Sequence, residues 1–389
     1  MSYNRDFFIA TEEEIKKGLV TDIYFERTKE ILKAYNIHKK VSAEFIVKGF
    51  PEGINCGVFT GLKEVINLLK GKKVTLRALP EGTIFKTWTP VMELTGNYLE
   101  FGVYETAMLG FICQSSGIAT KSARCKKAAD GRVVISFGTR RMHPVIAPMI
   151  ERSAYIGGCD GVSTILSADL LGIKPTGTMP HALILIFGDT VEAAIAFDKI
   201  IPAEVPRIVL IDTFLDEKFE AIRVAQALKE KLYGIRLDTP GSRRGDFKRL
   251  LEEVRWELNI RGFENVKIMV SGGINEEKIK VLNDYCDGYG VGTSISSAST
   301  IDFSMDIVEV EGALCAKRGK HSGRKDVLRC PQCGYEIVVP LNKKMQCKCG
   351  SDMVNLLKLY IKDGEVVEEL PDDKSIREYV LKQLEKVEI

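Results

Sequence analysis

No run of about 18 apolar residues occurs in this chain, so no membrane-spanning helix is expected. Charge of one sign is not in excess. The 55 Lys and Arg against 53 Asp and Glu leave a net charge of +2, which argues against a protein whose main work is neutralising a nucleic-acid backbone. Histidine is scarce, with four in 389 residues, so each one near a motif is weighed singly. An export leader is also missing: Met1-Ser2-Tyr3-Asn4-Arg5-Asp6 is too polar for one, which predicts a cytoplasmic chain. The cysteines show no pairing pattern either. Cys56, Cys113, Cys125, Cys159, Cys286 and Cys315 are scattered singly and read as reduced core residues, while Cys330, Cys333, Cys347 and Cys349 crowd together as a metal site. What is present, 45% hydrophobic and 28% charged residues, is ordinary for a globular protein of two or three domains.

The pattern changes near residue 130. Before it, Asp22 to Tyr35 reads as a helix, and 43–47, 74–78 and 83–85 read as short strands. Pro51, Gly53, Pro80, Gly82 and Pro90 supply turns, and a small α+β or β-rich domain is predicted. Tyr98 to Cys113 has helical spacing and reads as a connecting helix. Beyond residue 130, strands are expected at 133–137, 207–211, 235–237, 266–270 and 288–291. Helices are expected at 219–233, along the apolar stripe from Phe247 to Leu258, and at 276–283. Repeated β/α units predict a parallel sheet, and at this length a (β/α) barrel rather than a doubly wound sheet. A third region follows Asp306, with the basic stretch 317–329, the cysteine cluster and a charged helical end, 373–388.

In such barrels chemistry gathers at the C-terminal ends of strands, where several polar motifs fall. Ser271-Gly272-Gly273-Ile274 and Gly290-Val291-Gly292-Thr293 are paired glycine-rich ends whose backbone N–H groups can approach a phosphate. Phe137-Gly138-Thr139-Arg140-Arg141 carries an arginine pair suited to phosphate or pyrophosphate oxygens, or else to a solvated surface. Gly177-Thr178-Met179-Pro180-His181 holds a histidine that is either structural or an anion-binding or nucleophilic group. Asp212 and Asp238 could hold Mg²⁺ or sugar hydroxyls, or cap helices.

Taken in order, these motifs resemble nicotinate phosphoribosyltransferase in an archaeal-like form, over roughly residues 15 to 320. The resemblance also uses Thr21-Asp22-Ile23-Tyr24, Pro80-Glu81-Gly82, Glu105-Thr106, Leu210-Ile211-Asp212-Thr213 and Gly234-Ile235-Arg236-Leu237-Asp238. It implies an α/β fold, an irregular (β/α) barrel of the type II phosphoribosyltransferase kind. The domains it implies are an open-faced β-sandwich-like α+β domain at 1–118, the barrel at 119–300 and a return segment at 301–325. A zinc ribbon with the tail follows at 326–389. The implied reaction joins nicotinate to phosphoribosyl pyrophosphate, giving nicotinate mononucleotide and pyrophosphate for NAD biosynthesis, with Mg²⁺ and ATP hydrolysis. Carried over residue by residue, Tyr24 and Phe137 sandwich the pyridine ring, Tyr24 from a neighbouring subunit, so a homo-oligomer with shared sites is implied. Arg236 meets the ring substituent, Arg140 the pyrophosphate, and Ser271, Gly272, Gly273, Gly292 and Thr293 the 5-phosphate, with Thr178 nearby. Asp212 and Asp238 stand near the ribose and Mg²⁺, and His181 takes the phosphoryl group of ATP. Amide-using relatives place an acid where Ser163 stands here. A hydroxyl can donate to a carboxylate that an acid would repel, although a register slip would put Asp160 in that slot. Nicotinamide and quinolinate are the alternative bases.

Cys330-Pro331-Gln332-Cys333-Gly334 and Cys347-Lys348-Cys349-Gly350 pair two thiolate knuckles, matching a closed, structural Zn²⁺ site, with redox-active thiols as the alternative. A ribbon preceded by Lys317, Arg318, Lys320, His321, Arg324, Lys325 and Arg329 also supports a rival of another class, a nucleic-acid-binding protein.

Overall fold

The computed structural model describes residues 5–387 and 389. Met1 to Asn4, part of the leader reading, and Glu388, in the expected terminal helix, lie outside them. The chain forms two compact units, residues 1–120 with 299–389, and residues 121–298.

The first unit is built on a seven-stranded sheet. Its order is Ala313–Leu314, Phe303–Val310, Lys40–Val47, Met92–Asn97, Val74–Ala78, Lys358–Lys362 and Glu365–Val366, with antiparallel pairing throughout. The interior strand Lys40–Val47 is buried at every residue but the first. Its Phe45 packs in one core with Leu62, Val65 and Leu69 of the helix Leu62–Leu69, together with Leu76, Phe101, Met108 and Ile112. The expected connecting helix is interrupted. A turn at Tyr98–Phe101 gives way to a 3₁₀ turn at Gly102–Tyr104 before the long helix Glu105–Ala128 begins.

The C-terminal part departs from the expected ribbon-plus-tail at 326–389. Only Lys325–Arg329, Glu336–Pro340 and Val354–Asn355 form the ribbon sheet. Lys358–Lys362 instead pairs with Val74–Ala78. The helix Asp373–Leu384 reaches the Gly82 turn, where the Gln383 amide donates to the Gly82 carbonyl at 2.9 Å. A pairing partner some 280 residues away leaves no trace in local periodicity.

The second unit holds a six-stranded parallel sheet. Its order is Gly161–Val162, Val133–Ser136, Gly288–Val291, Lys267–Val270, Leu232–Leu237 and Arg207–Leu210. Val134, Ile135, Val209, Leu210, Ile235, Leu237, Ile268 and Val270 are all buried, as strands covered on both faces require. The sheet curls but does not close. Between its edge strands the chain runs through the helices Ile165–Leu171, His181–Phe187 and Thr190–Ile200. There Thr176 N–H donates to Val162 O at 2.8 Å where a barrel strand would lie. Lys174-Pro175-Thr176-Gly177 suits such irregular backbone, since Pro removes a donor and Gly carries no side chain to pack. The barrel expected from the sequence is therefore a half-barrel.

Candidate active site

Five positions directly follow the last residues of the parallel strands, Phe137, Ser163, Asp238, Ser271 and Gly292, and Asp212 stands two residues past Leu210. Pairing is parallel throughout, with Ser136↔Val162, Val291↔Ser136, Val270↔Tyr289, Val270↔Leu237 and Leu210↔Arg236 in register, so the six share one rim to within a residue or two. Asp160 does not belong to it. Asp160 precedes the strand Gly161–Val162, and its carboxylate accepts from Val134 N–H at 2.8 Å and from Lys126 at 2.7 Å, at the N-terminal end of the strands. Of the two candidates for the base-selecting slot, only Ser163 stands on the rim.

The most polar part of the rim joins His181, Asp212, Arg236, Asp238 and Ser271. His181 opens the helix His181–Phe187; its Nδ1 lies 3.0 Å from the Thr213 hydroxyl and its Nε2 3.7 Å from Asp212 Oδ2. The Asp212 side chain is only 2% exposed, and its Oδ1 has no hydrogen-bond partner. Burial raises the Asp212 carboxyl above its ordinary range, His181 pulls it back, and Asp238 pushes it up. Neither Asp212 nor Asp238 is a helix N-cap, since Asp216 and Pro240 hold those places. Arg236 donates to Ser271 Oγ at 2.8 Å, to Asp238 at 3.2 Å and to the Met179 carbonyl at 3.3 Å. Burial lowers its guanidinium, and Asp238 and Asp212 oppose this.

The glycine loops are fixed by close approach. Gly272 has φ 82°, and a Cβ there would stand 2.7 Å from Asp238 Oδ1. A Cβ on Gly290 would strike the Phe137 ring at 2.4 Å, so this glycine makes room for the aromatic. Arg244, which the motifs did not single out, ties two loops together. It donates to Thr239 O at 2.8 and 2.5 Å and to Gly272 O at 2.9 Å, and lies 4.2 Å above the Phe247 ring. Gly273 O accepts from Lys278 at 2.6 Å, and Gly292 precedes the short helix Thr293–Ser296. Arg140 is exposed in the 3₁₀ turn Thr139–Arg141, and Thr178 is half-buried in the irregular stretch.

Glu151 is a second residue that the motifs missed. It is fully buried on the helix Ala147–Ile156 and accepts from the N–H and hydroxyl groups of both Ser163 and Thr164. A buried carboxylate in an ordinary amphipathic helix gives no sequence signal, because its partners lie 12 and 13 residues away. In the first unit, Tyr24 stands on the helix Ile23–Ala34 and is 56% exposed.

Also in the first unit, the sulfurs of Cys330, Cys333, Cys347 and Cys349 lie within 4.8 Å of one another. Tetrahedral ligands at ~2.3 Å stand about 3.8 Å apart, so the set fits one metal ion. Cys333 N–H donates to Cys330 Sγ at 3.4 Å and, as the leading cause, lowers that thiol to about 6. The basic stretch before the ribbon is largely neutralised. Lys317 and Lys320 pair with Asp306, Arg324 with Glu93, Lys325 with Glu44 and Arg329 with Glu336.

Family models described as the N-terminal and C-terminal domains of quinolinate phosphoribosyl transferase match residues 22–116 and 118–306. Nicotinate phosphoribosyltransferase pncB2 of Mycobacterium tuberculosis is 34% identical over 283 residues, which cover 68% of this chain and 59% of that protein. The chain thus spans under two thirds of that relative's length. A crystal structure of nicotinate-nucleotide pyrophosphorylase from Pyrococcus furiosus is 54% identical with a TM-score of 0.97, covering 99% of this chain and all of that one. Human nicotinic acid phosphoribosyltransferase shares the fold, with a TM-score of 0.77 at 19% identity over 95% of this chain and 94% of that one.

Proposed function

We propose, for a chain that belongs to the type II phosphoribosyltransferases, the group of the quinolinate- and nicotinate-using enzymes, that it joins nicotinate to phosphoribosyl pyrophosphate and couples this to ATP. The observation that carries the reading is the buried Arg236 fork on the rim beside Asp238, Ser271 and Asp212. One buried guanidinium suits one carboxylate. The neighbouring Arg244 directs its Nε and Nη2 donors to the Thr239 and Gly272 carbonyls, which ties it to the loops.

In this reading the pyridine lies on Phe137 with its carboxylate at Arg236. The loops at Gly272-Gly273 and Gly292-Thr293 receive the 5-phosphate, with Ser271 and Thr178 beside them, and Arg140 meets the pyrophosphate. Displacement of pyrophosphate develops positive charge on the ribose, which Asp212 and Asp238 stabilise while the loops hold the partners in line. Asp212, with a buried oxygen that lacks a partner, fits a Mg²⁺ ligand, and the ion would neutralise the leaving pyrophosphate. His181 presents an imidazole held by Thr213, with its side chain 41% exposed, as a nucleophile for the phosphoryl group of ATP.

The four-cysteine cluster holds a structural zinc. The chain assembles as a homo-oligomer in which a partner subunit's Tyr24 completes each site. Apolar surface supports this: Leu19, Ile23 and Ile31 are exposed on the first unit, and Ile165, Leu170 and Ile186 on the second. Among the described residues no helix is long and apolar enough to cross a membrane, which suits work in the cytoplasm. A quinolinate-using enzyme is the second reading. The family models carry that name, and the Pyrococcus furiosus protein's name specifies the nucleotide and not the base. The pairing of five ribbon-side cations with carboxylates argues against the nucleic-acid reading.

The test supplies Mg²⁺ and phosphoribosyl pyrophosphate with nicotinate, nicotinamide or quinolinate, with and without ATP, and follows mononucleotide by chromatography. Nicotinate should give product, and ATP should raise its yield in the wild type but not in His181→Ala. Product from quinolinate alone moves the second reading forward, and no product from any base removes the transferase reading.

A further inference from the structure

The rim is not uniform in its hydrogen-bonding capacity. After the strands Lys267–Val270 and Gly288–Val291, glycine loops leave backbone close to the surface. After Gly161–Val162 the opposite holds. Ser163 donates its N–H and its hydroxyl to Glu151 Oε1, both at 2.8 Å. Thr164 donates its N–H at 3.0 Å and its hydroxyl at 2.5 Å to Glu151 Oε2, and Ser167 Oγ lies 2.5 Å from the Thr164 hydroxyl. Both carboxylate oxygens thus receive two donors, and Glu151 is fully buried. A hydroxyl has one hydrogen and two lone pairs. With its hydrogen directed to Glu151, Ser163 has only lone pairs left to offer the rim.

We propose that Glu151 is a specificity-determining positioning residue that turns the Ser163 hydroxyl into an acceptor. This rests on the nicotinate reading above, joined to the expectation from the sequence that Ser163 faces the substituent of the pyridine base. The consequence reverses the expectation drawn from the sequence. Ser163 does not donate to the nicotinate carboxylate, and the preference for an acid comes from the Arg236 fork. An amide N–H₂ is what the Ser163 oxygen can accept, and a second carboxylate beside the ring would meet lone pairs. This part of the rim therefore tolerates nicotinamide and opposes a diacid.

The test is a double-mutant cycle of Ser163→Ala and Glu151→Gln, with nicotinate as substrate and nicotinamide as competing ligand. Ser163→Ala should raise kcat/KM for nicotinate about twofold, because it removes lone pairs that face the carboxylate, and weaken nicotinamide inhibition about fivefold, as for one neutral hydrogen bond. A fall of about tenfold or more in nicotinate kcat/KM would mean that Ser163 donates to the carboxylate, and overturns the inference. Glu151→Gln should shift the nicotinate-to-nicotinamide preference while Ser163 is present and leave it unmoved in the Ser163→Ala background. An equal shift in both backgrounds would mean that Glu151 acts only by supporting the fold. If the wild-type chain turns over none of the three bases, the transferase reading fails by itself. Neutron diffraction of deuterium-exchanged wild-type crystals then decides the hydrogen's place: a deuteron between Ser163 Oγ and Glu151 upholds the acceptor assignment, and one turned to the rim ends it.

Discussion

Glu105 shows how a single residue couples this fold to pH. It begins the helix Glu105–Ala128, and burial, with Asp306 and Asp22 adding to it and Lys317 opposing, pushes its carboxyl from 4.5 up to about 7. A carboxyl whose value is raised on folding contributes stability that is fully present below about 4.5 and is lost as pH rises through about 7. Glu105→Gln keeps the side chain neutral and escapes that loss. Its Tm should match that of the wild type near pH 4.5 and exceed it above pH 7 by about 2–4 °C for each kcal/mol released. Thermal scans across that window would show it, and a constant difference at all pH values would contradict it.

At the scale of elements, the ribbon is tied into the first unit's sheet by more than its cysteines. Asp326 on Lys325–Arg329 pairs with Arg77 of Val74–Ala78, and Arg324 donates to Glu93 of Met92–Asn97 at 2.6 Å. If the cluster holds the proposed zinc, its loss should therefore be felt beyond the two knuckles. Cys333→Ser should lower bound zinc from one ion per chain to near none. It should also lower Tm by roughly 2–4 °C for each kcal/mol of metal-linked stability removed. Metal analysis with calorimetry checks both, and an unchanged Tm after zinc loss would show the ribbon to be an independent appendage. The knuckles were legible in the sequence because thiolate ligands come in short, glycine-terminated spacings. The strand Lys358–Lys362 was not, because what makes it a strand is a partner far away in the chain.

At the scale of the whole molecule, shared sites make a prediction that no single subunit can satisfy. If a partner subunit's Tyr24 completes a rim that holds Arg236, then Tyr24→Ala and Arg236→Ala each spoil every site of their own oligomer. Mixed and reassembled, half of the dimers would be hybrids with one intact site of two, so about one quarter of wild-type activity should return. No recovery in hybrids confirmed by native mass spectrometry would place Tyr24 and Arg236 in sites that are not shared.

The sequence by itself determined which residues reach the rim. β-Branched runs end at Phe137, Asp212, Asp238 and Ser271, and in a parallel sheet with one connection sense all such ends fall on one side. It also determined the four-thiolate cluster, whose ligands are close in the chain. Only the tertiary structure decided that the barrel stays half open, because Lys174-Pro175-Thr176-Gly177 supplies one backbone bond to Val162 and no strand. It alone showed that Asp160 and Ser163, three residues apart in sequence, stand at opposite ends of the strand Gly161–Val162, with only Ser163 at the C-terminal end. And it alone set the direction of the Ser163 hydroxyl, since a hydrogen turns toward whichever acceptor the folded chain brings near, and that acceptor sits on a helix a dozen residues back.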